Sequence, residues 1–429
     1  MPLPPDWLVG GSKKDHLCIS KAWLGVIVVS MLAARAAASP TVWLERRTRE
    51  IVAACQLPGP GNTTLFTPDA THSYGAQWTR DFAYAVMFAP DTLPSGSIVR
   101  AAVRATFGGQ RAADGCMPDR VQADGTAVYS PGSTASPFAD HAIDNGPFAA
   151  LLLAAATAGF PADGDADTAD AAAFFCELQP AARRGLDFVN RSAVTGLVYN
   201  SEAAPNCTYG FTDTVAKTGQ LLFSSLLFLD ASLRMASAAA KYGCGDADGY
   251  RRQASQIEGS FLQGDALYDG GGSGLWLAAS RDNALPDVWG SLYLLGLDAN
   301  VTTASRRHKA LQALQQLGGR VVQAGQLRHL PSPLNWMRCF GACPAPGVYQ
   351  NGGWWSTPLP YLARAALRGG EPGSIRFARA VVSACMADFE AGGIYEYVDY
   401  GHPARAMGVL NYTASATNVL WAARKLGLS

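Results

Sequence analysis

The stretch YGFTDTVAKTGQLLFSSLLF, residues 209–228, has the spacing of a helix with one polar side. Its polar residues recur at i, i+4, i+7 and i+11, and they are Asp213, Lys217, Gln220 and Ser224. Leucine and phenylalanine cover much of the remaining surface, so we expect the helix to be buried with its polar stripe facing an internal pocket. Asp213 is then either the N-cap of this helix, a position that Asp favours, or a carboxylate that does chemistry.

The composition narrows the class of partner. A chain of 429 residues with 48% hydrophobic and 16% charged residues is globular and long enough for an extensive core. Its 34 Lys and Arg balance its 34 Asp and Glu, so the electrostatic footprint of a nucleic-acid-binding protein is missing. Ten Trp, 15 Tyr and 17 Phe suit a neutral partner with flat apolar faces, as sugars have, although aromatic residues also fill cores.

Residues 1–38 have the pattern of a signal peptide. Lysines precede the apolar run from Ala22 to Ala34, and Ala36-Ala37-Ala38 fits a signal peptidase site. A retained N-terminal anchor is the alternative, but Arg35 interrupts a run already shorter than the roughly 20 residues that span a bilayer. No later segment predicts a transmembrane helix. We therefore expect a secreted protein, or one of the secretory-pathway lumen, with no other contact with a membrane.

Glycosylation sequons and cysteines agree with that route. Five sequons begin at Asn62, Asn190, Asn206, Asn300 and Asn411. With Cys18 in the leader, eight cysteines remain, an even number that can pair in an oxidising compartment. Cys339 and Cys343 can close a small loop or pair elsewhere, since eight cysteines permit many connectivities. A zinc site is the competing interpretation, but the six His are scattered and no paired C-x-x-C motifs occur, so no metal is expected.

Helical periodicity recurs along the whole chain after the leader. The predicted helices cover residues 41–55, 79–89, 97–108, 139–158, 166–189, 213–241, 247–262, 286–297, 302–318, 356–369, 373–389 and 412–426. Only short pieces such as 326–330 and 394–398 have a strand pattern. About a dozen helices in one run can form six antiparallel hairpins around a common axis, with loops at one end making a pocket. A helical solenoid and a large parallel sheet are the alternatives, but no fixed-period repeat and no regular β-branched runs support them.

Two early motifs place charges where they need partners. Trp78-Thr79-Arg80-Asp81 lies at a loop-to-helix junction, where a carboxylate and a guanidinium can grip vicinal sugar hydroxyls or simply form a structural ion pair. Asp144 and Asn145 open a strongly apolar segment, which implies a ligand or a buried network. Further along, Asp287 follows a proline at the predicted start of a helix. Stabilising that helix start is a sufficient explanation for this carboxylate.

Two late motifs combine aromatic residues with polar groups. Trp354 and Trp355 follow a Gly pair, and their rings can stack on sugar C–H groups or fill a core. In Ile394-Tyr-Glu-Tyr-Val-Asp399 an extended backbone puts Glu396 on the opposite face from Asp399, so only one of the two acids would enter a pocket. A solvated strand carboxylate is the alternative for Glu396.

Taken together, and in their order along the chain, these motifs resemble those of the six-hairpin glycosidases. The resemblance is greatest to the glucoamylase-type and amylo-α-1,6-glucosidase domains. Residues 78–81 are similar to the family's Trp-x-Arg-Asp sugar-binding motif, and residues 115–120 to its Gly-x-x-Pro-Asn-Arg element with Asp119 in place of Asn. Residues 350–356 look like its His-Asn-Gly-x-x-Trp-Pro motif, with Gln350 replacing His and Ser356 replacing Pro. The resemblance covers most of the chain after residue 70, and its departures fall at substrate-contacting places, so the exact sugar stays open.

The resemblance implies an all-α fold, an (α/α)6 toroid with short β pieces in its loops, as one catalytic domain over residues 39–429. The segment around Asp213 resembles the one that carries the family's general acid, and residues 394–399 resemble the one that supplies the general base, which gives Glu396 that role. The implied substrate-binding residues are Trp78, Arg80, Asp81, Arg120, Asp144, Lys217, Asn351, Trp354 and Trp355. Acid/base hydrolysis needs no metal or organic cofactor.

These implications lead to an expected activity. We expect an inverting, exo-acting glycosidase on a neutral, gluco-type glycoside, in which Asp213 protonates the leaving oxygen and Glu396 activates water across a gap of roughly 6.5–9.5 Å. Desolvation among residues such as Phe211 and Tyr209 has to raise the pKa of Asp213. The alternatives are a catalytically inactive carbohydrate-binding protein, or an epimerase, lyase or phosphorylase on the same toroid.

Overall fold

Twelve α-helices account for about half of the chain that the structure, a computed structural model, describes, namely residues 39–133, 136–158, 167–263, 267, 277–400 and 407–428. In chain order they are α1 (Pro40–Ala54), α2 (Thr79–Phe88), α3 (Gly96–Gly108), α4 (Asn145–Ala156), α5 (Asp167–Asp187), α6 (Leu222–Tyr242), α7 (Ala247–Gln263), α8 (Val288–Gly296), α9 (Ala304–Leu317), α10 (Leu359–Gly369), α11 (Pro372–Gly392) and α12 (Thr413–Lys425). Most predicted helix boundaries agree with these within a few residues.

The even-numbered helices form a closed inner ring. Each packs against the next in the order α2, α4, α6, α8, α10 and α12, and α12 packs back against α2. The odd-numbered helices lie outside this ring, and α1, α3, α5, α7, α9 and α11 each pack against a member of it. This arrangement confirms the predicted (α/α)6 toroid, and closure of the ring excludes an open solenoid.

Hydrophobic patterning explains which helices lie inside. α4 is apolar on every side, and ten of its 12 residues are buried. The outer helix α9 is amphipathic, and only five of its 14 residues are buried. A helix that is apolar all round has to be surrounded by protein, whereas an amphipathic one can cover the outside. By length and composition α6 could also span a membrane, but 78% of its apolar window is buried inside this fold.

The strands are short and lie in the connections. They are β1 (Gln56–Pro58), β2 (Thr64–Phe66), β3 (Ala76–Trp78), β4 (Arg120–Gln122), β5 (Ala127–Val128), β6 (Gly132–Ser133), β7 (Ser136–Pro137), β8 (Tyr199–Asn200), β9 (Gly219–Gln220), β10 (Ala278–Ser280), β11 (Asn283–Pro286), β12 (Val322–Gln323) and β13 (Gln326–Leu327). In the described chain, β3, β4 and β5 form a three-stranded antiparallel sheet and the other strands pair two by two. Of the strand predicted at 394–398, only isolated bridges at Tyr395 and Val398 form.

The prediction of a helix over residues 213–241 was wrong at its start. α6 begins at Leu222, and Asp213 follows a single 3-10 turn over Gly210–Thr212. Residues 215–220 form bridges to other segments instead of a helix, since Val215 bridges Cys339 and Gln220 pairs with Tyr199. Threonine and valine resist helix formation, and Gly219 has a φ of +74°, which ends any helical path. Asp213 is therefore not the N-cap of α6, and it does not share a helical stripe with Lys217.

A second predicted helix, 139–158, was also too long at its start. α4 begins at Asn145, and residues 139–144 form a connection whose backbone is bound to other segments. Ile143 donates its N–H to Cys207 O and Ala142 donates to Tyr129 O. Asp287 is confirmed at its helix start, since it is the N-cap of α8 and accepts the backbone N–H of Gly290 at 2.8 Å.

Two disulfides form, Cys339–Cys343, which closes the small loop considered from the sequence, and Cys176–Cys244, a pair that the sequence left open. Cys55, Cys116, Cys207 and Cys385 are buried free thiols, so the eight cysteines do not all pair. The predicted leader, residues 1–38, lies outside the described residues. Three sequon asparagines are exposed, Asn62, Asn190 and Asn300. The other two are half-buried, and the side-chain oxygen of Asn411 is bonded to Arg47 at 2.7 Å.

Candidate active site

A buried pocket opens at the N-terminal end of the inner helices. It is bordered by residues just before α2, α6 and α12 and by the connections that precede α10 and α12. Its lining is formed by Pro68, Tyr74, Trp78, Arg80, Asp81, Gly210, Phe211, Asp213, Tyr349, Glu396 and Tyr412. Both predicted catalytic carboxylates therefore face one space, together with Trp78, Arg80 and Asp81 of the predicted substrate-binding set.

The pocket is small and closely surrounded by aromatic rings. Its cavity measures about 40 Å³, far below the roughly 300–1,000 Å³ of typical ligand pockets, so a sugar ring would have to displace rim side chains. A much larger cavity, about 760 Å³, lies at the other end of the toroid and includes none of the predicted site residues. We assign the active site to the smaller pocket because it contains the pair of carboxylates Asp213 and Glu396, whereas a large volume by itself does not indicate a reaction.

Asp213 lies at the end of the 3-10 turn and is almost fully buried, with 8% of its surface exposed. Its Oδ1 accepts a hydrogen bond from Gln350 Nε2 at 2.7 Å. Burial raises the pKa of Asp213 to about 7, while the Gln350 amide and the Arg80 guanidinium act in the opposite direction. The predicted upward shift by desolvation is confirmed in direction, and no α-helix start opposes it.

Glu396 reaches the pocket from the connection between α11 and α12. Its Oε2 accepts a hydrogen bond from Tyr74 OH at 2.8 Å. The pKa of Glu396 is raised to about 8, chiefly by burial and to a lesser extent by the nearby Asp81, while the hydrogen bond from Tyr74 acts in the opposite direction. As predicted, Glu396 lies in the pocket while Asp399 is buried elsewhere, near Arg328.

Arg80 and Asp144 belong to a buried charge network behind the pocket. The guanidinium of Arg80 forms ion pairs with Asp119 and, through Nε at 3.3 Å, with Asp144 Oδ2. The same Asp144 oxygen accepts the backbone N–H of Gly210 at 2.9 Å. Asp144 is completely buried, so burial raises its pKa. The network ties the turn that carries Asp213 to the start of α2.

Asp81 is the third carboxylate of the pocket lining. Tyr412 OH donates to its Oδ1 at 2.6 Å. Burial raises the pKa of Asp81 to about 6, while the hydrogen bond from Tyr412 and the charge of Arg80 act in the opposite direction. Because Tyr412 directly precedes α12 and Asp81 lies in the first turn of α2, this bond joins the two helices where the ring closes.

Arg120 acts on the pocket through Trp78. Its guanidinium lies 4.6 Å from the centroid of the Trp78 ring, and it is bonded to Asp119 and to the carbonyls of Ser130 and Gly132. Trp78 lines the pocket, but Arg120 lies behind the ring. A cation over an indole face fixes the position of the ring.

The remaining predicted substrate-binding residues lie behind the lining. Lys217 is buried and donates to Thr212 Oγ1 at 2.8 Å, and burial lowers its pKa. Asn351 binds backbone groups of Trp336 and Pro344. Trp355 is fully buried against Phe211, with ring centroids 5.7 Å apart, whereas Trp354 lies against Arg328.

Several pocket residues were missed by the sequence argument. Tyr74 lies in no recognised motif, and Tyr412 was noted only as part of a sequon. Tyr349 directly precedes the motif at 350–356, and Phe211 was expected only to desolvate Asp213; neither was given a role in binding. Asp119 and Gln350 lie outside the lining but contact Arg80 and Asp213, and their signal was that each stands where the resembled motif has a different residue.

Comparison with known proteins supports the fold. A rhamnosidase from Klebsiella oxytoca with rhamnose bound is 18% identical with a TM-score of 0.61, and the match covers 90% of this chain but only 64% of the rhamnosidase. A GH63 mannosylglycerate hydrolase from Thermus thermophilus in complex with glucose is 16% identical with a TM-score of 0.61, covering 88% of this chain and 99% of that one. The chain has the six-hairpin glycosidase fold.

A third similar structure extends the match over nearly the whole chain. It is a Streptococcus pneumoniae protein from a family of metal-independent α-mannosidases, in a non-productive complex with α-1,6-mannobiose, and it is 12% identical with a TM-score of 0.54. The match covers 96% of this chain and 99% of that one. No protein-family model and no curated protein sequence matches this chain. The predicted six-hairpin resemblance is therefore confirmed for the fold, and the chemistry has to be argued from the pocket.

Proposed function

We propose that this protein is a glycoside hydrolase that removes a terminal sugar with inversion of configuration. The observation that carries this proposal is the placement of Asp213 and Glu396 in one buried pocket, where burial raises the pKa of both carboxyl groups. Two carboxyl groups in a desolvated site beside aromatic rings and an Arg-Asp pair are the equipment that glycoside hydrolysis needs.

The proposed reaction divides the work between the two carboxyl groups. Asp213 gives its proton to the glycosidic oxygen as the bond from that oxygen to the anomeric carbon breaks. Glu396 takes a proton from a water molecule whose oxygen forms the new bond on the opposite face of the ring. At the end Asp213 is ionised and Glu396 is protonated, and exchange with solvent restores the starting forms.

Charge in the pocket favours a neutral sugar. Arg80 is the one cationic residue of the described lining, and its guanidinium is already bound to Asp119 and Asp144. It is therefore not available to bind the carboxylate of an acidic sugar. Asp81 presents a carboxylate that can accept hydrogen bonds from ring hydroxyls, and Trp78 can pack against ring C–H groups.

The position of the pocket favours exo action on a small glycoside. It ends against buried aromatic side chains at the centre of the ring, so a chain cannot pass through it. The similar structures are a rhamnosidase with rhamnose, a mannosylglycerate hydrolase with glucose and an α-mannosidase-family protein with α-1,6-mannobiose. Glycosides of gluco, manno and rhamno configuration are therefore the substrates to test. A gluco-type sugar remains our proposal.

Two disulfides and three exposed sequon asparagines support a place in the secretory pathway. The free thiols at the four other cysteine positions are buried, so their lack of pairing does not conflict with an oxidising compartment. Expression with and without N-glycosidase treatment would test this part of the proposal, since glycans on Asn62, Asn190 or Asn300 form only along that route.

A panel of aryl α- and β-glucosides, mannosides and rhamnosides, each with and without phosphate, tests the activity. We expect hydrolysis of one configuration, no stimulation by phosphate, and a first-formed product with inverted anomeric configuration by NMR. Retention would contradict the mechanism, and turnover only with phosphate would indicate a phosphorylase. Sugar binding without turnover of any substrate would indicate a carbohydrate-binding protein.

A further inference from the structure

Gln350 contacts Asp213 directly, and it has no role in the reaction proposed above. Its side chain is completely buried, and all four hydrogen-bonding positions of its amide are used on one turn. Oε1 accepts from Thr214 N at 2.9 Å and from Thr214 Oγ1 at 2.7 Å. Nε2 donates to Asp213 Oδ1 at 2.7 Å and to Gly210 O at 3.3 Å.

These partners leave the amide only one orientation. The backbone N–H of Thr214 can only donate, so it requires the amide oxygen, and the carbonyl of Gly210 can only accept, so it requires the amide nitrogen. The usual ambiguity between the two ends of a glutamine side chain is removed by backbone groups that cannot exchange roles. An N–H of Gln350 therefore always faces Asp213 Oδ1.

The backbone that carries Gln350 is fixed as well. Tyr349 has a φ of +48°, which is rare for an aromatic residue, and Gly353 donates its N–H to Tyr349 O at 2.7 Å. Asn351 is bonded to the backbone of Trp336 and Pro344. A backbone outlier held by surrounding hydrogen bonds is typical of functional sites.

We propose that Gln350 is a positioning residue, which keeps Asp213 Oδ1 as a permanent acceptor and thereby leaves Oδ2 as the oxygen that carries the proton to the substrate. Among the described residues, none hydrogen-bonds to Oδ2, and Asp213 lines the pocket. A protonated carboxyl group has one O–H, and an oxygen that already faces an N–H cannot direct that proton toward it. This inference rests on the proposed function for the role of Asp213 as the acid.

Two substitutions test the positioning, with the pKa of Asp213 followed by NMR of a ¹³C-labelled carboxyl group. Gln350→Met removes the amide at similar length, and we expect the pKa of Asp213 to rise because a hydrogen bond to the ionised form is lost. Gln350→Glu puts an oxygen beside Oδ1, and we expect a larger rise because the two carboxyl groups must share a proton. The charged groups around Asp213, namely Arg80, Asp119, Asp144 and Glu396, stay in place in both variants.

The rate separates positioning from simple tuning of acidity. A higher pKa alone increases the protonated fraction of Asp213 and would leave the rate equal or higher at pH 7. If Gln350 also aims the proton, Gln350→Met lowers kcat roughly 10- to 100-fold, with the smallest loss for substrates whose leaving groups need little protonation. An unchanged or higher kcat for all leaving groups would overturn the proposal.

Thr214→Val is the matched control. It removes one hydroxyl bond to the Gln350 amide but keeps the backbone N–H that fixes its orientation, so we expect the pKa of Asp213 to stay unchanged. If the pKa is also unchanged in both Gln350 variants, the inference fails even for an active enzyme. If the pKa moves but the wild-type protein hydrolyses no glycoside, the proposed function fails while the contact between Gln350 and Asp213 stands.

Discussion

Asp213 comes to the pocket from an irregular loop in front of α6, whereas Glu396 comes from the connection between α11 and α12. Among the described residues, each carboxylate accepts one side-chain hydrogen bond, from the Gln350 amide for Asp213 and from the Tyr74 phenol for Glu396. Burial raises both pKa values, to about 7 for Asp213 and to about 8 for Glu396. The two groups thus differ more in their neighbours than in their burial.

The order of these pKa values matters for the proposed roles. The reaction needs Asp213 protonated and Glu396 ionised, yet Glu396 holds its proton to the higher pH. The singly protonated pocket therefore carries its proton mostly on Glu396, and the form with the proton on Asp213 is the minor one. The comparison therefore predicts an enzyme that works in a minority protonation state, and the variants below test each carboxylate in turn.

Glu396→Gln should have the largest effect. It removes the base while the side-chain oxygen can still accept the hydrogen bond from Tyr74, so the fold should be kept. We expect kcat to fall by at least ~100-fold for every substrate, because no leaving group replaces activation of water. Steady-state kinetics, with circular dichroism as the check on folding, would measure this, and a near-normal rate would remove Glu396 from the mechanism.

Asp213→Asn should cost nearly as much for poor leaving groups and much less for good ones. The amide oxygen can still accept the bond from Gln350, but the side chain has no acidic proton to give. We expect at least a ~100-fold fall in kcat for alkyl glycosides and a clearly smaller one for nitrophenyl glycosides. If Glu396→Gln shows the leaving-group dependence instead, the two roles are reversed, an outcome that the pKa order of the pocket would itself explain.

How far the sequence could predict these two carboxylates depended on what holds each in place. Glu396 was placed correctly because a two-residue alternation decides which side of an extended segment faces inward. Asp213 was assigned to the pocket correctly but to the wrong local structure. The stretch after it has helical spacing, but its bridge from Val215 to Cys339 comes from residues more than a hundred positions away. A pattern read over 20 neighbouring residues does not reveal a contact with a residue so distant in the sequence.

The same distinction holds for the fold and for the outer parts of the site. The helices were predictable because each carries its own apolar pattern, and their closure into a ring follows from burying those faces. Tyr74 and Tyr412 were not predictable, because their roles arise from hydroxyl groups that meet Glu396 and Asp81 across more than 300 residues of chain. Trp355 is the opposite case. The sequence placed it among the substrate-binding residues, but its side chain is completely buried in the core.

The pH dependence of kcat/KM tests whether burial raises both pKa values in the active protein. Below pH 7 both carboxyl groups are protonated and the base is missing, and above pH 8 both are ionised and the acid is missing. We expect a narrow bell-shaped profile with limbs near pH 7 and pH 8 and a maximum between them. A broad plateau that reaches down to pH 4 or 5 would show that burial does not control the ionisation of Glu396.

Tyr74→Phe should give the smallest of these effects. The lost hydroxyl removes the hydrogen bond that lowers the pKa of Glu396, so that pKa rises and fewer molecules carry an ionised base at pH 7. We expect kcat/KM to fall roughly tenfold at pH 7, with a smaller loss near pH 9, and the upper limb of the profile, which the pKa of Glu396 sets, to move upward. Tyr349→Phe is the control, since it removes a hydroxyl from the same lining that, among the described residues, donates no hydrogen bond to Glu396. Equal losses in the two variants, without a shift of the profile, would mean that Tyr74 acts only by filling space and that burial alone sets the difference between Glu396 and Asp213.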